Sequence, residues 1–330
     1  MASGTDYTDR ADGRDAIPVA LGRVLDRILA DNPIQTVRQG LFHFEYRTYP
    51  EIALREASLN ALCHADYRIA SPILVKQFQD RSEITNPGGL IGGITPENIL
   101  HHTPVTRNPC LVDALVRLRL INRSNLGIQR MYTALLIEGK EPPSIEDLGD
   151  AFRLTLRASK LSPAFRAFVA EEGKRGVDLS VDHLLVLQHL LRHPEIDSPT
   201  AVRLCQRSQE EIREILSRME RDLGYVDRGG SGRGTYWTLR ADTHARLAAP
   251  GEADRDRRTD WEAAKTRILS ILRQRAERGE SGLSNKEIRA ITRFDRNQVV
   301  RLLRELRQED SRVKTSGHGA GARYFWEEAP

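Results

Sequence analysis

The sequence predicts an α+β chain: a front half that mixes helices with strands, then one helical plan used twice. Three observations predict it. Between Tyr49 and Arg157, stretches of helical period alternate with short β-branched runs bounded by turn residues. Residues 181–240 and 265–327 repeat the order helix, short helix, longer helix, Gly-tipped hairpin. The matched landmarks keep step, with Ser284 lying 86 residues after Ser198 and Tyr324 lying 88 after Tyr236.

Length and composition set the bounds. A chain of 330 residues is long enough for two or three domains with real cores. At 39% hydrophobic and 29% charged residues it reads as a soluble globular protein, and no apolar run approaches a membrane span. Residues 1–17 read as a disordered tail, without the pattern of a signal peptide. Cys63, Cys110 and Cys205 are far apart with no CxxC, which argues against zinc and disulfides and fits a cytoplasmic location. The formal charge is +4, and residues 261–330 hold 15 Lys/Arg against 10 Asp/Glu. The positive excess therefore sits at the C-terminal end, where a nucleic acid is the expected partner.

In chain order, Pro18–Ala30 is an amphipathic helix ended by Asp31-Asn32-Pro33, and Gln35–Tyr46 is a strand candidate. A helical period follows over Tyr49–Tyr67, with Pro50 suited to its first turn. Ile52, Leu59, Leu62 and Cys63 are expected on its buried stripe, with Ala53 and Ala57 allowing close approach. Glu56 and Asn60 are four apart, so they share one face. A carboxamide there can ligate magnesium, and a carboxylate can orient a water. Strands are expected over 71–79 and 81–85, with a turn at Asp80-Arg81-Ser82. Asn86-Pro87-Gly88-Gly89 reads as a tight corner. Residues 92–107 form a loop with a short helix at Pro96–Leu100. A helix over Cys110–Leu118 and a last strand within 146–157 complete the half. His64, His101 and His102 lack metal-ligand spacing.

Four blocks in this half share an order: Pro50 to Tyr67, with Arg55-Glu56-Ala57 and Asn60-Ala61 inside it; Asn86-Pro87-Gly88-Gly89; Arg107-Asn108-Pro109; and Gly127-Ile128-Gln129-Arg130-Met131. Over about residues 45–157 the chain resembles the divergent GHKL-type ATP-binding domain of the RecG C-terminal family, found in AlbA/Schlafen-type transcriptional regulators. The resemblance implies a GHKL-like α/β sandwich, a mixed sheet covered by helices, over residues 18–160. It implies ATP or ADP with magnesium as ligand. Glu56 would be the catalytic base, Asn60 the magnesium ligand, and His64, Asn86, Gly88, Gly89 and Gly127 would line the nucleotide. Asn86 stands where an aspartate reads the adenine amino group in other GHKL proteins, and residues 92–107 stand in the place of the ATP lid. Two departures mark the site as degenerate: Asn125 replaces the first glycine of G-x-G-I, and Ala65 replaces an arginine after His64. The AlbA-like domain that precedes this region in longer members is expected to be absent. Helicase activity is not expected, since the chain has no G-x-x-x-x-G-K-[ST] loop.

A linker helix is expected over 161–180. The repeat then reads as two winged helix-turn-helix domains, 181–247 and 261–330. The first has helices Asp182–Arg192, Ser198–Cys205 and Ser208–Leu223, with a hairpin over Tyr225–Leu239. The second has Lys265–Arg278, Ser284–Ile291 and Asp295–Gln308, with a hairpin over Val313–Trp326. A polar linker, 248–260, is expected to let the copies move. The third helix of the second copy offers Arg296, Asn297, Gln298, Arg301 and Arg304, the side chains that pair with base edges. Val299, Val300, Leu302, Leu303 and Leu306 are its expected core. Lys314, His318 and Arg323 lie on its wing. In the first copy the candidates are Arg213, Arg228 and Arg233, beside an acidic Glu210-Glu211 that would repel phosphates. The leading expectation is a homodimeric regulator that binds double-stranded DNA. The alternatives are a GHKL-type ATPase and a winged-helix protein–protein adaptor.

Overall fold

A computed structural model describes residues 9–39, 42–121, 127–160, 162–193, 195–229, 235–247, 252–277, 279, 281–292, 294, 296–317 and 322–327. At 37–39, 42, 44, 241, 252–260, 263, 290, 296 and 297 it describes the backbone alone. The chain is α+β and divides into two compact units, residues 1–184 and 185–330.

In the first unit, α1 (Ile17–Ala30) is followed by a hairpin, β1 (Ile34–Gln39) and β2 (Phe42–Arg47), where one strand was expected. Helix α2 (Glu51–His64) comes next, with Pro50 at its N-cap and not inside its first turn. The main sheet holds β3 (Leu74–Gln77), β4 (Arg81–Pro87), β5 (Ser144–Asp147) and β6 (Ala151–Arg157) in the order β3-β4-β6-β5. All three pairings are antiparallel, not mixed. Between β4 and β5 lie α3 (Pro109–Arg117) and α4 (Gly127–Leu136). The tight turn after β3 falls at 78–80, because Arg81 already pairs with Arg157. The stretch 96–101 is a run of turns, not a helix: the Asn98 side chain bonds the Thr95 amide and the Gly93 carbonyl, diverting both from a helical ladder.

Period-two geometry orients the sheet. Ser82, Ile84 and Asn86 share one face of β4, opposite Leu156, Leu154 and Phe152 of β6. Ile84, Leu154 and Leu156 pack with Ala53, Leu54, Ala57 and Ala61 of α2 and with Met131 and Leu135 of α4. Leu54 is fully buried, which contributes about 1.5–3 kcal/mol. Three alanines on that face let α2 lie close to its neighbours. Of the expected stripe, Leu59 and Cys63 are buried, but Ile52 is 55% exposed, and the alanine row faces the sheet in its place. Polar clamps fix the start of α2. Asn32 exchanges two hydrogen bonds with the Tyr49 backbone, at 2.7 and 3.0 Å. The buried Lys140 donates to the carbonyls of Arg47 and Thr48 at 3.0 and 2.9 Å. Helix α5 (Pro163–Lys174) closes the unit, capped by Ser162 and held by buried Phe165 and Phe168.

The boundary between the units falls within α6 (Val181–Arg192). After it come β7 (Ile196–Asp197), α7 (Ser198–Cys205), α8 (Gln209–Arg221), β8 (Val226–Gly229) and β9 (Tyr236–Leu239), with sheet order β7-β9-β8. Asp197 caps α7, and a Ser208–Glu211 capping box starts α8. After the short α9 (Ala241–Leu247), the second copy repeats the plan. It has α10 (Glu252–Glu277), β10 (Leu283–Ser284), α11 (Asn285–Thr292), α12 (Arg296–Glu309), β11 (Val313–Ser316) and β12 (Arg323–Trp326), in sheet order β10-β12-β11. Ser284 and Glu287 exchange bonds at the start of α11 as Ser208 and Glu211 do at α8. Helix α10 begins at Glu252, so most of the expected linker is helical. The copies are also in contact: Tyr236 Oη donates to the Ile291 carbonyl at 2.8 Å, and Arg267 lies over the Tyr236 ring while pairing with Glu195. That contact replaces the freely moving modules expected from composition.

On α12, Val299, Leu302, Leu303 and Leu306 are buried in a core with Ile268, Leu272 and Trp326. Val300 is 48% exposed and does not join them, since it stands a full turn from Arg304 on the outer face. The Glu305 carboxylate accepts from Trp261 Nε1 at 2.7 Å, Lys265 Nζ at 3.0 Å and Arg301 Nε at 2.9 Å. These donors lower its pKa from 4.5 to about 2. The folded carboxylate is favoured, so its stabilisation is complete above about pH 4.5 and is lost as pH falls toward 2. Urea midpoints of the wild type should fall across that window, and Glu305→Gln should flatten part of the fall. Parallel curves for the two proteins would refute this assignment.

Candidate functional site

Helix α2 has two working faces. One is the alanine-rich face on the sheet. Residues 56, 59, 60, 63 and 64 form the other, at helical spacing, and line a cavity of about 860 Å³. That volume suits a ligand the size of a nucleotide. The far end of β4 supplies Asn86, and Gly88-Gly89 follow it. The expected corner is thus shorter, since Asn86 and Pro87 end the strand and the chain turns at Gly88. Gly88 has φ 87°, and a Cβ there would stand 2.8 Å from Asp66 Cβ and 3.0 Å from the Arg107 guanidinium. Only glycine fits between them. The loop over 90–107 covers the cavity with an apolar surface that includes Ile91, Ile94 and Val105.

The polar end of the cavity is where α2 meets α4. Gly127 is the first residue of α4, and a Cβ on it would lie 3.1 Å from Glu56 Oε2 and 3.4 Å from Asn60 Oδ1. The N-terminus of α4, whose first-turn amides lack partners within the helix and which carries the positive dipole end, thus faces the Glu56–Asn60 pair. Among the described residues, Asn60 Nδ2 is buried with no hydrogen-bond partner, and so is Asn86 Oδ1 of the same cavity lining. Arg107 Nε is a third such atom, and buried polar atoms are normally satisfied, so three orphans on residues lining one cavity point to a bound group. Glu56 is mostly buried, and its burial raises its pKa against the opposing pull of Arg130 and Arg55. Arg130 Nη1 donates to Glu56 Oε1 at 3.3 Å. Burial, helped by the Arg107 charge, lowers the pKa of His64, which favours its neutral form near pH 7. Arg68 and Arg107 hold Asp66 well below the usual carboxylate range.

The structure therefore brings Glu56, Asn60, His64, Asn86, Gly88, Gly89 and Gly127 to one cavity. Asn125 lies outside the described residues. Four arginines at the same cavity, Arg55, Arg107, Arg119 and Arg130, were not singled out from sequence. Three of them stand inside the quoted blocks, where nothing in a residue's letter tells a lining group from a surface one. Arg119 stands in no block. His101 also lines the cavity, and its Nε2 lies 3.1 Å from Asp182 Oδ1, a structural pairing and not a metal site. Among the described residues no cluster of three or more His, Cys, Asp or Glu is placed to hold a metal.

The nucleic-acid candidates are dispersed by comparison. Gln298, Arg301, Arg304 and Lys314 are exposed on the second copy. The side chains of Arg296 and Asn297 lie outside the described part, as do His318 and Arg233. Arg323 is turned back onto its own module, donating to Ser281 Oγ at 3.1 Å and the Gly282 carbonyl at 2.9 Å. On the first copy Arg213 and Arg228 are exposed.

Residues 70–156 match the family model described as "Putative ATP-dependent DNA helicase recG C-terminal". The match takes in β3 to β6 with α3 and α4, and it stops short of α2, which carries Glu56 and Asn60. Among solved structures, the chain is similar to the DIP2311 protein from Corynebacterium diphtheriae, at 26% identity and a TM-score of 0.58. The likeness covers 69% of this chain and 46% of that one, so it spans less than half of that protein's length. No curated protein matches. Residues 70–156, which build most of the cavity, are thus similar to the RecG C-terminal, a GHKL-type ATPase-like domain.

Proposed function

We propose that the cavity binds ATP or ADP with magnesium, and that the two C-terminal modules are winged helices that bind double-stranded DNA. The chain is then a DNA-binding transcriptional regulator governed by a nucleotide-binding domain, acting in the cytoplasm as a homodimer. The observation that carries the reading is the meeting of Glu56, Asn60 and the α4 N-terminus at one end of a nucleotide-sized cavity. Helix N-termini favour phosphate, and a carboxamide is a hard oxygen ligand of the kind magnesium takes. Asn86 Oδ1, unpartnered among the described residues, suits an amino-bearing base in the same cavity. When bound, magnesium would neutralise phosphate charge beside Glu56. For the DNA partner, the support is the exposed Gln298, Val300, Arg301 and Arg304 on α12, with its apolar face sealed below. For the location, the support is three unpaired cysteines. No helix among the described residues is long and apolar enough to cross a membrane.

Slow hydrolysis is the second reading, favoured by the raised pKa of Glu56, as a general base requires. The Arg130 contact opposes it, because it occupies one oxygen of that carboxylate. Calorimetric titration of the full chain with ATP and magnesium tests the main reading. Saturable heat with one site per chain is expected, and an absence of binding at millimolar nucleotide would defeat it.

A further inference from the structure

We propose that Arg119 grips the phosphate of the ligand in the cavity, an inference that rests on the nucleotide reading above. Arg119 follows the last turn of α3 in the left-handed region, with φ 57°. Its amide bonds the Val116 carbonyl, and the Leu120 amide reaches back to Leu115, each at 2.9 Å. This is the helix-ending bend at which glycine is the favoured residue, because a Cβ is strained there. The chain tolerates the same conformation at Gln206, with φ 54°, so strain alone assigns no role. The position of Arg119 at the cavity does.

Four arginines line that cavity, and three are engaged. Arg55 donates to the Leu120 carbonyl at 2.8 Å. Arg107 bonds Asp66 and the Gly89 carbonyl. Arg130 bonds Glu56. Only the Arg119 side chain has no partner among the described residues, and it is exposed. Its backbone is nevertheless fixed. Asn108 at the start of α3 donates to the Cys63 and Ala65 carbonyls at the end of α2, and Arg55 fastens the residue just after Arg119 to α2. A strained bend, pinned at both ends, thus holds an uncommitted cation at the cavity. The acidic residues of the lining are Glu56 and Asp113, so the arginines leave a positive balance that suits an anion.

The test is Arg119→Gly in the full chain, with Arg119→Lys beside it. Glycine relieves the bend, so the thermal midpoint should rise by about 2–4 °C. Affinity for ATP with magnesium should fall about tenfold, as for a charged hydrogen bond lost at a partly exposed site, while lysine restores most of it. Adenosine, which has no phosphate, should bind both proteins alike. Pyrophosphate as a second probe separates the sources: loss for both ATP and pyrophosphate means a nucleotide's phosphates are gripped, and binding of pyrophosphate alone means a free phosphate compound is. If Arg119→Gly gains stability and keeps full affinity for each probe that the wild type binds, Arg119 is only a helix cap. If the wild type binds neither ATP nor pyrophosphate, the nucleotide reading falls and this inference with it.

Discussion

Arg301→Ala combined with Arg304→Ala is expected to weaken duplex binding about 100-fold, and to lower the salt slope of log affinity by up to about two. Both side chains are on the exposed face of α12, opposite Val299, Leu302, Leu303 and Leu306. Arg301 is held by contacts on its own module. Its Nε donates to Glu305 at 2.9 Å, and its guanidinium carbon lies 5.1 Å from the centre of the Trp261 ring. Glu305 is itself held by Trp261 and Lys265, so the arginine is oriented before DNA arrives. A base or phosphate contact from such a group contributes about 1–3 kcal/mol, and two give the stated loss. Neither substitution touches the apolar core, so thermal stability should fall only by what the exposed Arg301–Glu305 contact contributes, under about 1 kcal/mol. On the first copy, Arg213→Ala of α8 with Arg228→Ala of β8 should cost less, because Glu210 and Glu211 in the first turn of α8 repel phosphate. Fluorescence anisotropy on a duplex between 50 and 200 mM salt reads both quantities. An unchanged slope in the α12 variant would leave the second module as a protein-docking element.

Much of this arrangement is legible in the sequence where a pattern is local. Glu56 and Asn60 share a face because helical spacing fixes it. The two copies keep step through landmarks at matched offsets, Ser198 with Ser284 and Tyr236 with Tyr324. What was not legible depends on which neighbour arrives. Ile52 reads as core on any apolar count, yet the small side chains of Ala53, Ala57 and Ala61 bring α2 closer to the sheet, and Ile52 is left outside. Val300 is likewise left exposed, because it shares the outer face of α12 with Arg304. The stretch 248–260 looks like a linker because it is charged and carries Pro and Gly. From Glu252 onward it instead forms the start of α10, whose later residues Ile268 and Leu272 are anchored in the module core. Tertiary anchoring overrides local composition there. Arg119 had no sequence signal at all, since a left-handed backbone at an arginine cannot be read from its neighbours.

Asn60→Ala and Glu56→Gln, one turn apart on α2, are expected to shift nucleotide affinity in opposite directions. Asn60 is the one group of the pair that can donate an oxygen to magnesium while its Nδ2, now unpartnered and buried, bonds the ligand. Losing both roles should cost about 3 kcal/mol, or about 100-fold in the affinity for ATP with magnesium. Glu56 carries a negative charge beside the α4 N-terminus, where phosphate would sit. Neutralising it removes repulsion worth about 1 kcal/mol, so Glu56→Gln should bind about fivefold more tightly while losing any phosphate release. The same sign governs pH. Burial holds the Glu56 pKa above its usual 4.5, so the wild type should gain affinity as pH falls toward that raised value, and Glu56→Gln should not. Helix damage would weaken both variants together and leave the pH profiles parallel. Opposed shifts, with the wild-type gain confined to acid pH, are what a phosphate placed between Glu56, Asn60 and the first turn of α4 requires.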